Sequence, residues 1–145
     1  MIQHTLSVKK GIKKSLLVVD MPKNSYNSSN QAEKNAKLIS KKTGCDAVKL
    51  ESNNKNFNII EKLVKKKIPV MGHIGFTPQF KKNFRIEGDT PNKANKLLKE
   101  ALCIEKAGAF SIVLECISPK TSKLITRNLK IPTIGIGSSS YCDGQ

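Results

Sequence analysis

Four short apolar runs in this sequence each carry an ionisable side chain at or near their end. SLLVVD (15–20) ends in Asp20, and DAVKLE (46–51) carries Lys49 and ends in Glu51. IPVMGHIG (68–75) carries His73 with a glycine on either side, and FSIVLE (110–115) ends in Glu115. Lys49 and Glu51 are two residues apart, which puts them on one face of a strand. An inward-facing lysine is costly unless something pairs with it. One reading is therefore a structural ion pair between Lys49 and Glu51. The other gives Lys49 an anionic substrate and Glu51 a metal. Asp20 and Glu51, from neighbouring strand ends, are a pair of hard oxygen donors of the kind that holds Mg²⁺. The sequence has no CxxC or HExxH for zinc. Mg²⁺ held there could chelate a 2-oxo acid through its ketone and carboxylate oxygens and stabilise an enolate. Glu115 would then be the base that removes the proton beside the ketone. His73, taken alone, reads as a satisfied histidine at a strand end. In this company it reads as part of a polar set, and the whole describes an aldolase-like site.

The elements that must position these residues follow from the pattern. The runs at 15–20, 46–51, 68–75, 110–115 and 131–137 are rich in Val and Ile and bounded by turn signals. Continuous short apolar runs fit strands buried on both faces, as in parallel sheets. The segments between them predict helices. Residues 28–44 open with serine caps, set Ala32, Ala36 and Ile39 on one face, and stop at Gly44. Residues 57–66 group Phe57, Ile60, Leu63 and Val64. Residues 90–108 begin with Thr90 and Pro91, carry a stripe of Ala94, Leu97, Leu98, Ala101 and Ile104, and end at Gly108. Residues 118–129 repeat the cap-then-proline start with Ser118 and Pro119. Strand–helix alternation implies a parallel sheet with helices packed outside it. An open doubly wound sheet and a (β/α)8 barrel both fit, and both place ligands at the carboxyl ends of the strands. The roughly sixteen residues from Gly72 to Gly88, joining a strand to a capped helix, are long for a compact domain and predict a lid.

The chain has 145 residues, which is one domain at most. A complete barrel needs about 250 residues and eight strands. No signal peptide is evident and no apolar run is long enough to span a membrane. Cys45, Cys103, Cys116 and Cys142 form no CxxC pair, and a reducing, cytoplasmic setting is expected. The net charge of +15 raises a nucleic-acid reading. However, only Arg85 and Arg127 are arginine, and base readout and planar phosphate recognition favour arginine. The lysines lie on the polar sides of the predicted helices, so a solvated surface is expected and no nucleic-acid partner.

Several longer motifs resemble one family. HTLSV…G (4–11), DMPKNSY (20–26), AVKLE (47–51), IPVMGHIGFTPQ (68–79), AGAFSIVLEC (107–116) and IPTIGIG…CDGQ (131–145) resemble ketopantoate hydroxymethyltransferases, in that family's order and over essentially the whole chain. The resemblance implies a (β/α)8 barrel of the phosphoenolpyruvate/pyruvate superfamily, of which about five strand–helix units are present, and an oligomer at full length. It implies transfer of a hydroxymethyl group from 5,10-methylenetetrahydrofolate to 3-methyl-2-oxobutanoate, giving 2-dehydropantoate for pantothenate and coenzyme A synthesis. Asp20 and Glu51 would be Mg²⁺ ligands, with Asp20 also near the substrate. Lys49 would bind the oxo acid, His73 would line the pocket, and Glu115 would be the catalytic base.

The departures from the family pattern are specific. An earlier strand ending in Asp-Ser-Leu-Gly, which supplies a further metal ligand, has no counterpart in these residues. A final strand and helices after DGQ have none either. The expectation is a single domain over 1–145 that is a fragment of a barrel, with its activity alone in question. Lys23 stands where phenylalanine is usual, Ser52 and Asn53 where glycines follow VKLE, and Ser138 and Ser139 where Ala-Gly follows GIG. The alternatives to a hydroxymethyltransferase are another Mg²⁺-dependent 2-oxo-acid aldolase or lyase of the same superfamily, an inactive fragment, or a basic nucleic-acid-binding module.

Overall fold

The structure is a computed structural model and describes residues 1–52 and 56–145. Its element order is α1 (Ile2–Lys9), β1 (Val18–Asp20), α2 (Ser29–Thr43), β2 (Ala47–Glu51), α3 (Phe57–Lys65), β3 (Val70–Gly75), α4 (Pro91–Lys106), β4 (Ser111–Glu115), α5 (Pro119–Asn128) and β5 (Thr133–Ile136). The five strands form one parallel sheet in the order β1-β2-β3-β4-β5. Sequential order with every strand parallel is the arrangement of a (β/α)8 barrel laid partly open.

The helix boundaries follow the residues expected to set them. Ser28 Oγ accepts the Gln31 amide at the start of α2, and Gly44 ends it at a φ of 62°. Thr90 Oγ1 accepts the Lys93 amide ahead of Pro91. The expected strands are shorter, β1 beginning at Val18 and β5 at Thr133, although the carbonyls of Leu17 and Pro132 still accept amides from the neighbouring strands. Helix α1 had no sequence signal. It buries only Thr5, so it has no apolar stripe for periodicity to detect. Instead Lys9 Nζ donates to the carbonyls of Thr43 and Gly44 and fastens it to the end of α2.

Strand alternation separates two faces. Val19, Val48, Leu50, Ile74, Ile112 and Leu114 point toward the helices and are buried. They pack with Ala32 and Ala36 of α2, Ile59, Ile60 and Leu63 of α3, Ala101 and Ile104 of α4, and Ile125 of α5. Gly72 lies on the helix-facing side of β3, where a Cβ would stand 2.5 Å from Ile104 Cγ2. The opposite face carries Asp20, Lys49, Glu51, His73 and Glu115.

The outer edge of β5 is partly covered. The Gly135 amide donates to Gly144 O, the Gly144 amide donates to Thr133 O, and Asp143 Oδ2 accepts from the Thr133 amide and hydroxyl. The terminal CDGQ segment thus folds back along the strand that sequence alone left open. The lysines of α2 and α4 are exposed, and Lys37, Lys65 and Lys93 pair with Glu33, Glu61 and Asp89 one helical turn away. Such pairs contribute only tenths of a kcal/mol each.

Candidate functional site at the strand ends

Register brings the five predicted residues together. Asp20 lies opposite Lys49 across β1 and β2, Glu51 opposite His73 across β2 and β3, and Gly75 opposite Glu115 across β3 and β4. The side chains of Asp20, Lys49, His73 and Glu115 form a chain of contacts over four strands, and Glu51 stands beside it. Lys49 Nζ is 2.8 Å from Asp20 Oδ2 and 3.2 Å from His73 Nδ1. His73 Nε2 is 3.1 Å from Glu115 Oε2. Of the two readings, the Lys49–Glu51 ion pair is not formed; Lys49 pairs with Asp20, because neighbouring strands bring Asp20 directly opposite Lys49.

Charge and burial tune this chain. His73 is 1 % exposed, and burial together with the Lys49 ammonium lowers its pKa from 6.5 to about 3. It is therefore neutral at pH 7. An ammonium at Nδ1 makes that nitrogen the acceptor, so the ring proton sits on Nε2 and faces Glu115. Burial raises the Glu115 pKa, with Asp20 adding to the rise and Lys49 opposing it. Burial likewise raises the Glu51 pKa against the Gln79 hydrogen bond and the Lys49 charge, and the charges of Asp20 and Glu115 push the same way. Three carboxylates feel one another here around a single lysine.

Two buried polar atoms at this site, Asp20 Oδ1 and His73 Nε2, have no hydrogen-bond partner among the described residues. The Glu115 oxygen near Nε2 is close but out of hydrogen-bonding alignment. Buried polar atoms are normally satisfied, so this pair marks where a ligand's polar groups would fit. Asp20, Glu51 and Glu115 are the carboxylates at this end of the sheet that could donate to a hard cation. Among the described residues no three His, Cys, Asp or Glu side chains converge on one metal position. Two carboxylates with the remaining positions left to water and substrate suit Mg²⁺.

Sequence reasoning gave no role to Tyr26 and Gln79, although both lie in quoted motifs. Tyr26 is buried, and its hydroxyl donates to Gln79 Oε1 at 2.7 Å. The Gln79 amide donates to Glu51 Oε2 at 2.9 Å, and Gln79 Nε2 donates to Met21 O at 3.0 Å. The predicted lid is fastened at both ends. Beyond Gln79, Glu87 forms a bridge to Ile117, and Lys81 Nζ donates to both Gly75 O and Glu87 Oε1.

Three of the departures find structural uses. Ser138 Oγ donates to Leu114 O and accepts the Ile117 amide, tying the end of β5 to the residues flanking Glu115. Ser52 extends the ladder by donating its amide to His73 O, while its hydroxyl donates to buried Glu100 at 2.5 Å. Ser139 Oγ accepts the Tyr141 amide. Lys23 is exposed, and nothing in the structure explains it. Asn53 lies outside the described residues.

Consecutive parallel strands with polar residues at their carboxyl ends define a segment of a (β/α)8 barrel, and those ends are where barrels place their sites. Solved structures share this fold over most of the chain. A phosphonopyruvate hydrolase matches with a TM-score of 0.66 at 10 % identity, over 93 % of this chain and 50 % of its own. A dihydrodipicolinate synthase matches with a TM-score of 0.58 at 13 % identity, over 81 % of this chain and 44 % of its own. The chain belongs to the ketopantoate hydroxymethyltransferase family, whose model matches residues 1–145. A 3-methyl-2-oxobutanoate hydroxymethyltransferase of Pelagibacter ubique (strain HTCC1062) is 52 % identical over 145 residues, covering 100 % of this chain and 56 % of the relative. One of Pseudothermotoga lettingae is 48 % identical over 149 residues, covering 100 % and 56 %. The chain therefore spans about half the length of the curated relatives it matches.

Proposed function

We propose that this chain supplies the Asp20–Lys49–His73–Glu115 half of a site that transfers a hydroxymethyl group from 5,10-methylenetetrahydrofolate to 3-methyl-2-oxobutanoate, giving 2-dehydropantoate. The observation that carries the proposal is the four-strand polar chain ending in a carboxylate of raised pKa. Family membership supports the choice of substrates. Lys49 binds the carboxylate of the oxo acid. Glu115 takes the C3 proton, and its raised pKa brings it toward the working pH of a general base. Neutral His73 presents its Nε2 proton beside Glu115 on the same face of the sheet. Asp20 and Glu51 would hold Mg²⁺, which would polarise the ketone oxygen when bound. The orphaned Asp20 Oδ1 supports that donor pair.

The 145 residues form one folded unit in this reading, five strands of an eight-stranded barrel, and the intact enzyme works as a homo-oligomer. No helix among the described residues is long and apolar enough to cross a membrane. All four cysteines are free, which supports a cytoplasmic setting. Small molecules, and neither nucleic acid nor membrane, are the partners. A substrate panel tests the reaction. The intact enzyme should form 2-dehydropantoate from 3-methyl-2-oxobutanoate and 5,10-methylenetetrahydrofolate and depend on Mg²⁺. Turnover of pyruvate with an aldehyde, and none with the folate, would overturn the choice in favour of another 2-oxo-acid aldolase.

A further inference from the structure

Glu51 is 2 % exposed, and a buried carboxylate must be held by donors to keep one orientation. One of its oxygens, Oε2, accepts the backbone amide of Gln79, which comes from the loop after β3. The side chain of the same residue spans to the loop after β1. Its carbonyl accepts the Tyr26 hydroxyl and its amide donates to Met21 O, so each end of the side-chain amide has a matched partner. Met21 follows Asp20 directly and donates its own amide to Lys49 O. Phe80, next to Gln79, packs edge-on against the Tyr26 ring at 6.4 Å. The Phe80 and Lys81 amides both donate to Thr77 O, closing the turn that presents Gln79.

We infer that Gln79 is the positioning residue of this site: its side chain locks the β3 loop to the β1 loop, and its backbone amide thereby fixes Glu51 relative to Asp20. The functional part of this inference rests on the Mg²⁺ reading above, whereas the positioning part does not. Residues that orient a metal ligand typically change metal affinity or activity ~10–100-fold when removed. Tyr26 acts through Gln79, so the two residues share one effect.

The test compares the intact enzyme with Gln79→Ala, Tyr26→Phe and the double variant. Mg²⁺ affinity is measured by calorimetry with no substrate present, hydrogen exchange is followed at the residue 79 amide, and kcat and KM are determined separately. Gln79→Ala should weaken Mg²⁺ binding by ~10–100-fold, lower kcat more than it changes KM for the oxo acid, and speed exchange at residue 79. Tyr26→Phe should move the same readouts less. The double variant should be no worse than Gln79→Ala, the non-additivity of residues in one network. Unchanged Mg²⁺ affinity and unchanged amide exchange in Gln79→Ala would overturn the inference. If the unmodified enzyme neither bound Mg²⁺ nor turned over, the functional reading would fall. Exchange at residue 79 would then still decide whether Gln79 holds Glu51.

Discussion

Gly75→Ala is the substitution whose effect the backbone dictates most directly. Gly75 has a φ of +95°, and a Cβ there would stand 2.1 Å from Glu115 O and 2.7 Å from Ile117 Cγ1. Ordinary contact needs ~3.5 Å, so one strand end must move by more than ~1 Å. The obstructing atom is main chain, and it accepts the Phe76 amide at 2.8 Å. The left-handed backbone costs an alanine ~1–2 kcal/mol. Loss of the Phe76–Glu115 bond, between two half-buried residues, adds ~1–3 kcal/mol. The total, about 2–5 kcal/mol, is a large share of a domain's ~5–15 kcal/mol. Urea unfolding followed by circular dichroism reads it as a midpoint lowered by ~1 M or more. Turnover should fall as well, because Glu115 moves with its carbonyl. Gly11→Ala is the control, since a Cβ there meets only Val8 O at 3.6 Å. It should stay within ~0.5 kcal/mol. A Gly75→Ala enzyme with the midpoint and turnover of the Gly11→Ala control would refute the reasoning.

Three further outcomes are expected. With a folded pKa of about 3 against 6.5 unfolded, His73 takes its proton in the unfolded chain first. Its contribution is complete above pH 6.5 and is lost as pH falls toward 3. The wild-type protein should therefore lose ~2 kcal/mol relative to His73→Gln between pH 7.5 and 5; parallel stability curves for the two would contradict a buried neutral ring. Asp20→Asn and Glu51→Gln should each weaken Mg²⁺ binding and depress turnover in the intact enzyme, and an unaltered Mg²⁺ dependence in both would remove the metal assignment. The 145-residue chain by itself should bind hydrophobic dyes and lack transferase activity. Among the described residues strand β1 has no outer neighbour in the sheet, β5 is covered on its outer side only near Gly144, and Leu16, Ile136 and Tyr141 are exposed. A monodisperse, cooperatively melting chain that makes 2-dehydropantoate would show that five strands suffice.

The fold was legible where burial leaves a periodic trace. Runs such as FSIVLE read as strands because helices cover one face and the barrel interior the other. Helix α1 was not legible because polar contacts from Lys9, rather than an apolar stripe, hold it in place. Asp20, Lys49, Glu51, His73 and Glu115 announced themselves as charged or ionisable groups ending apolar strands. Their partners did not, because register alone decides that Lys49 meets Asp20 and not Glu51. Tyr26 and Gln79 were harder still. They meet across 53 residues of sequence, and each sits on a loop whose composition is ordinary. The two glycines of the His73 motif show the same limit. One makes room for Ile104 and the other for a backbone carbonyl, and neither neighbour is near them in sequence.

Exchange of the C3 proton of 3-methyl-2-oxobutanoate with solvent deuterium, followed by NMR in the absence of folate, isolates the step assigned to Glu115. The intact enzyme should catalyse it, and Glu115→Gln should slow it by ~10²–10⁴ while the oxo acid still binds. Exchange at the normal rate in Glu115→Gln would mean that this carboxylate is structural and that the base lies elsewhere.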